Sequence, residues 1–220
     1  MSSLRKEEKH MTAKKKDFDL VIGVTGLKAA GKDELTRYLA SKYDYNIRSC
    51  GDEVREQLRH EGVDKPTIQQ QIEMGNRGRR ESGDVAYWAK RVLLTCKGMN
   101  CRTVGVNGLR HPLEVAGLAA IVGERFVLIG VVAPTAMRAN RLISRGREGD
   151  PKTVDDFLRL DDADRGIGQP MDGQQVDRTL ACVPWENLYN NTGTLDEYHA
   201  WIDAMMAREM KRSRKKRPAR

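Results

Sequence analysis

Two glycines and a lysine near the start of the chain carry the most specific chemistry in the sequence. Gly26-Leu27-Lys28-Ala29-Ala30-Gly31-Lys32 follows an apolar run, Phe18 to Thr25, and precedes a helical pattern that begins near Lys32. Glycine at each end lets the loop turn tightly enough for consecutive amide hydrogens to converge on one point. The N-terminus of the next helix adds partial positive charge, and the lysine reaches the same point. This arrangement suits the β- and γ-phosphates of a nucleotide. It makes Gly26, Leu27, Lys28, Ala29, Ala30, Gly31, Lys32 and Asp33 the expected cofactor-binding residues, with ATP and Mg²⁺ as cofactors. The hydroxyl residue that commonly follows the lysine and helps hold Mg²⁺ is replaced by Asp33 and Glu34. Asp33 is then either a carboxylate that holds the metal through water or an acid favoured by the dipole of the first helical turn. Lys28 either touches phosphate or points to solvent.

Such a loop needs a sheet behind it. Short apolar runs at Phe18 to Thr25, Tyr45 to Cys50, Arg102 to Asn107, Arg125 to Ala133 and Asn187 to Asn191 alternate with helical patterns. The helical patterns begin near Lys32, Glu53, Thr67, Asp84, Leu113, Thr135, Thr153 and Leu195. Alternation of this kind predicts a parallel sheet covered by helices. Ligands of open parallel sheets sit beyond the carboxyl ends of the strands, so the polar residues there are the remaining site candidates.

After the second strand, Asp52 is either a helix N-cap or a cap that also takes a proton from an attacking hydroxyl, and Arg55 could hold an anionic acceptor. After the third, Asn107 stands where an aspartate near the metal is common, and Arg110 could reach a phosphate. After the fourth, Arg138, Arg141 and Arg145 share a helical face with few facing acids, and Arg147 follows Gly146. That face is either a lid that neutralises a transferring phosphoryl group or a solvated basic surface. The helical stretch from Gln71 to Arg80 holds Gly75 and Gly78, which predicts a bend or a close ligand approach with Arg79 or Arg80 toward the acceptor.

The whole chain carries 39 basic and 31 acidic side chains, a net +8. Residues 1–16 hold six basic against two acidic, and residues 208–220 eight against one, which leaves residues 17–207 at −3. The expected organisation is one domain over 17–207 between two basic tails. The tails are expected to be disordered or fraying helix ends, either merely solvated or able to touch nucleic acid through counterion release. No aromatic residue interleaves their charges. Membrane binding is not expected, because the longest apolar stretch, Phe126 to Ala133, is less than half of the roughly 18 residues a span needs. No signal-peptide pattern precedes Asp17, so the expected location is the cytoplasm. Cys50, Cys96, Cys101 and Cys182 include no CxxC pair and read as reduced thiols.

With these pieces in hand, the chain resembles the nucleoside-monophosphate-kinase group of P-loop proteins. Within it, the likeness is to dephospho-CoA kinase and its poorly characterised kinase-like relatives, over roughly residues 18–205. The matching pieces are Gly26 to Lys32, Ser49 to Arg55, the Gly75-Asn76 helix, Val104 to Glu114, Ala133 to Arg147, and Asn191-Thr192-Gly193. The resemblance implies an α/β fold, a P-loop NTPase three-layer sandwich of about five parallel strands with helices on both faces. It implies phosphoryl transfer from ATP to a small-molecule acceptor, with Lys32, Asp52, Arg141 and Arg145 catalytic. Arg55, Arg79 and Arg110 would face the acceptor, and Asn191 and Gly193 would lie near the adenine. The chain departs from the family at Ala29, often glycine there, at Asp33-Glu34, and at Asn107 in place of aspartate. The alternative is a nucleotide-binding ATPase or adaptor without kinase turnover whose basic tails contact RNA or another polyanion.

Overall fold

The first strand sets the architecture. In the computed structural model, which describes residues 18–147 and 150–215, β1 (Leu20–Thr25) is buried at all six positions. Leu20, Ile22 and Val24 enter one core while Val21 enters a second on the opposite face. A strand dry on both faces needs helices on both, and it needs neighbours on both edges to satisfy its backbone.

Those neighbours are β3 (Thr103–Leu109) and β4 (Phe126–Val132). With β2 (Asn46–Ser49) and β5 (Leu188–Asn190) at the edges, they form a five-stranded sheet in the order β2-β3-β1-β4-β5. Every pairing is parallel. The observed strands sit inside the expected ones, shortened by a residue or two, except that β3 runs on to Leu109.

One face is covered by α1 (Lys32–Tyr43) and α9 (Leu195–Lys215), which bring Leu35, Leu39, Tyr198, Ile202 and Met205 onto the sheet. The other carries α4 (Tyr87–Gly98) and α5 (Pro112–Val122), with Ala89, Val92, Leu93, Cys96 and Leu118 in the core. This is the α/β P-loop NTPase-like sandwich.

Two pairs of helices stand apart from these layers. α2 (Cys50–His60) and α3 (Ile68–Ser82) share a small core of Val54, Leu58 and Met74 with Trp88. α6 (Thr135–Arg145) and α7 (Val154–Arg165) form another, with Ala139, Leu142 and Phe157. α8 (Val176–Leu180) was not expected; its five residues are too few for a helical period to emerge.

Gly78 of α3 clears space for a side chain of the fold itself. α3 is continuous, the Trp88 indole donates to the Gly75 carbonyl at 2.9 Å, and a Cβ at Gly78 would lie 2.4 Å from the Trp88 ring. Gly78 thus makes room for the tryptophan, whereas a Cβ at Gly75 would meet nothing within 4 Å.

The expected tail at 1–16 lies outside the described residues. α9 runs through position 208, where the second tail was expected to begin, and continues to Lys215.

Candidate functional site

The loop between β1 and α1 has the geometry its glycines foretell. Gly26 sits at φ 145° and Gly31, the N-cap of α1, at φ 116°. A side chain at Gly26 would lie 2.2 Å from the Val131 carbonyl oxygen, and one at Gly31 would lie 2.3 Å from Asn191 Nδ2. Both positions therefore exclude a Cβ on conformation and on space. Ala29 also takes a left-handed conformation, φ 57°, which costs an L-residue roughly 1–2 kcal/mol. Its methyl packs against Ala139, Leu142 and Phe157, tying the loop to α6 and α7.

From behind, Asn191 Nδ2 donates to the Ala30 carbonyl at 2.8 Å and the Tyr198 hydroxyl to that of Gly31 at 3.2 Å. Arg141 donates to the carbonyls of Asn191, at 3.1 Å, and Ala29, at 3.5 Å. Asn191 and Arg141, expected near the adenine and the transferring phosphate, brace the backbone of the loop. Gly193 is exposed and lies against Glu197 rather than the loop.

Lys32 folds back to donate to the carbonyls of Gly26 at 2.6 Å and Leu27 at 2.8 Å. Lys28 does not point to bulk solvent. Its ammonium lies 3.4 Å from Asp164, and Arg110 donates to the same carboxylate at 3.0 Å and to Gln174 at 2.9 Å. Asp164 is 1% exposed.

Burial opposes ionisation of Asp164, yet Arg110, Lys28 and Lys32 outweigh it and hold its carboxyl below the ordinary value. The lysines show the other side of this balance. Burial, helped by repulsion from Arg110, lowers Lys28 and brings Lys32 down to about 8. Lys28 and Arg110 share the Asp164 carboxylate directly, Lys32 feels it and Asp33 without pairing with either, and the three cations repel one another, so this corner of the site is rich in positive charge. Chemically, it can receive a polyanion.

A bulge aims a further oxygen here. Val24 pairs with Asn107 but Thr25 with Leu109, leaving Gly108 as an extra residue at φ 80°. Asn107 Nδ2 approaches Asp33 at 3.4 Å, and its buried Oδ1 has no hydrogen-bond partner.

Arg79 and Arg110 both lie near enough to the buried Glu114 and the Cys50 thiol to favour their ionised forms. Glu114 accepts from the backbone amides of Arg110, at 2.7 Å, and His111, at 3.2 Å; burial raises its pKa. Arg79 donates to Asn76 at 3.1 Å, while its buried Nε is unpartnered.

Asp52 is not the N-cap of its helix. Ser49 caps α2, which begins three residues earlier than expected, and Asp52 closes a capping box by accepting from the Ser49 amide at 2.7 Å. Burial works against its charge, but Ser49 and Arg55 prevail and hold its pKa below the usual carboxylate range. Arg55 is shared between Asp52 and Gln71.

The arginine face of α6 is neutralised from within, contrary to expectation. Arg138 is 1% exposed and forms a bidentate pair with Asp161. Its guanidinium also lies 5.5 Å from the Phe157 ring. Arg145 pairs with Asp150 through Nε at 2.8 Å and Nη2 at 2.6 Å. Arg141 alone of the three reaches the loop.

Asp161, Asp164, Glu114 and Gln174 were missed by sequence reasoning. A signal existed for the first two. Asp161 and Asp164 are three apart on α7, one face of acids to meet the arginines of α6 and the loop.

No family model matches the chain. Among solved structures, TT1252 from Thermus thermophilus aligns with a TM-score of 0.52 at 16% identity, covering 87% of this chain and 98% of its own. A Chloroflexus aurantiacus protein provisionally described as a kinase aligns with 0.52 at 15% identity, covering 86% and 97%. At these identities the likeness is one of fold. Sequence relatives go further. A UPF0200 protein from Aeropyrum pernix is 34% identical over 181 residues, 81% of this chain and 87% of the relative. One from Halobacterium salinarum is 30% identical over 190 residues, 85% and 92%. With identity at this level sustained along nearly the full length of its relatives, the chain belongs to the UPF0200 family.

Proposed function

We propose that this protein is an ATP-dependent phosphotransferase acting on a small-molecule acceptor, of the dephospho-CoA kinase or nucleoside monophosphate kinase type. One observation carries the reading: Lys28 and Arg110 pair with the buried Asp164 at the carboxyl edge of the sheet, and Lys32 lies close enough to feel the same carboxylate and both cations. An incoming triphosphate supplies the charge that the site lacks. Lys32 exchanges its two carbonyl partners for phosphate oxygens and the loop amides cradle the β-phosphate, while Arg141 positions the loop through the Ala29 and Asn191 carbonyls.

The residues fit Mg²⁺. Asp33 offers a carboxylate and Asn107 an unpartnered amide oxygen, and no group of three or more His, Cys, Asp or Glu forms a cage among the described residues. Magnesium keeps several of its waters and is bound by one or two carboxylates plus substrate phosphates, so so sparse a donor set suits it. When bound, the ion would neutralise charge on the phosphates.

Arg79 and Arg110 hold an anionic part of the acceptor. Asp52, with its lowered proton affinity, is better suited to orient a hydroxyl than to remove its proton.

The protonation of Lys32 gives a prediction. Phosphate favours the ammonium, and the free site loses that proton near pH 8. ATP affinity is therefore expected to be flat below pH 8 and to fall as pH rises above it, by up to about tenfold per unit. Calorimetry in buffers of different ionisation enthalpy should register proton uptake on binding near pH 8. An affinity that rises with pH contradicts the role given to Lys32.

A coupled assay for ADP tests the reaction itself, against nucleoside monophosphates and dephospho-CoA. Acceptor-dependent ADP formation is the expected result. Equal ADP release with and without acceptor makes the protein an ATPase instead, a reading favoured by the ion pairs that occupy Arg138 and Arg145.

A further inference from the structure

We infer that the pole opposite the phosphate loop is a binding surface for single-stranded nucleic acid, with Trp185 as the stacking platform and the last turns of α9 as the backbone clamp. The inference is independent of the phosphotransfer reading, since it concerns the amino ends of the strands.

Three features meet there. Trp185 opens the 3-10 turn that leads into β5 and is 85% exposed, the most open large apolar side chain among the described residues. Trp88 is buried and Trp201 partly so. A bare indole forgoes the burial free energy that usually draws tryptophan inward.

Next to it lies a fixed cation. Arg208 donates to the Glu186 carbonyl at 3.2 Å and to Asn187 Oδ1, the two residues that follow Trp185. The buried Glu209 carboxylate accepts from Arg208 at 3.0 Å and Arg212 at 3.2 Å, so both guanidiniums are held beside the turn.

The third feature is charge. From 208 to 213, α9 carries Arg208, Lys211 and Arg212 against Glu209 alone. Leu20, at the amino end of β1, lines one cavity with Arg212 and Ser213.

The ring decides the partner class. An indole stacks on the face of an unpaired base, whereas a duplex keeps its base faces covered. Phosphates along the same strand would meet the α9 cations with counterion release. The sequence shows no aromatic among the charges; the fold supplies one from 23 residues before Arg208.

The experiment uses the full chain and single-stranded oligouridine and oligothymidine of about 12 nucleotides, within the span of known sequence-tolerant grooves. Both are expected to bind and to quench the fluorescence of Trp185. Trp185→Ala should weaken binding about 5- to 150-fold, the equivalent of one base stack, and Trp185→Phe should restore part of the loss. Joint Lys211→Ala and Arg212→Ala substitution should lower the salt slope by about two. Thermal midpoints and the response to ATP should stay those of the parent, since Trp185 is exposed and far from the loop. Equal affinity of Trp185→Ala and parent overturns the inference. So does a duplex that binds as tightly as the single strand, or quenching by phosphatidylserine vesicles but not by either oligonucleotide.

Discussion

Lys32→Ala is expected to cut phosphoryl transfer about a hundred- to a thousandfold, the cost of removing one pre-organised donor, roughly 2.7–4 kcal/mol. The effect should fall on the reaction rather than on the fold. The loop is held by the left-handed glycines at its two ends and by Asn191, Tyr198 and Arg141 from behind. Lys32 contributes two bonds to carbonyls that water can take over. Removing the ammonium also relieves its repulsion with Lys28 and Arg110, which offsets the two lost bonds. Steady-state kinetics beside a urea titration separate the two effects. Unchanged kcat/KM in a folded Lys32→Ala protein would remove the loop from the mechanism.

Asp161→Ala is expected to destabilise the protein by about 3–5 kcal/mol, because it leaves the Arg138 guanidinium buried and unpaired. Both side chains are almost fully enclosed, and the pair joins α6 to α7 beside Phe157. Replacing both partners by leucine should recover much of the loss, since a buried ion pair adds little net stability over well-packed apolar residues. Denaturant midpoints at constant slope provide the measurement. A loss below about 1 kcal/mol for Asp161→Ala would mean that the pair behaves as a solvated surface bridge. This pair also explains why α6 is not a free cationic lid: one arginine fastens α6 to its neighbour, and another is spent on Asp150.

The sheet was legible because its central strands β1, β3 and β4 are short, largely apolar runs that alternate with helical patterns, and the loop because Gly26 and Gly31 occupy positions that no side chain fits. What escaped has identifiable causes. Spacing places Arg138, Arg141 and Arg145 on one side of a helix but leaves open what that side meets, so a buried structural arginine looks the same as a mobile one. Asp164 lies far along the chain from Lys28, and nothing local marks their contact. The start of α2 was misplaced because Cys50 and Gly51 carry no helical signal, although Ser49 and Asp52 stand at capping-box spacing. Trp185 drew no attention as one aromatic in a short polar segment, and only the fold sets it beside Arg208.

Titration calorimetry of the full chain with ATP and Mg²⁺ below pH 8 tests the central claim most directly: Lys32, with Lys28 and Arg110 nearby, awaits a triphosphate. A saturable heat at a 1:1 ratio, lost in Lys32→Ala, is the predicted result. No heat from well-folded protein with either ATP or GTP would contradict it.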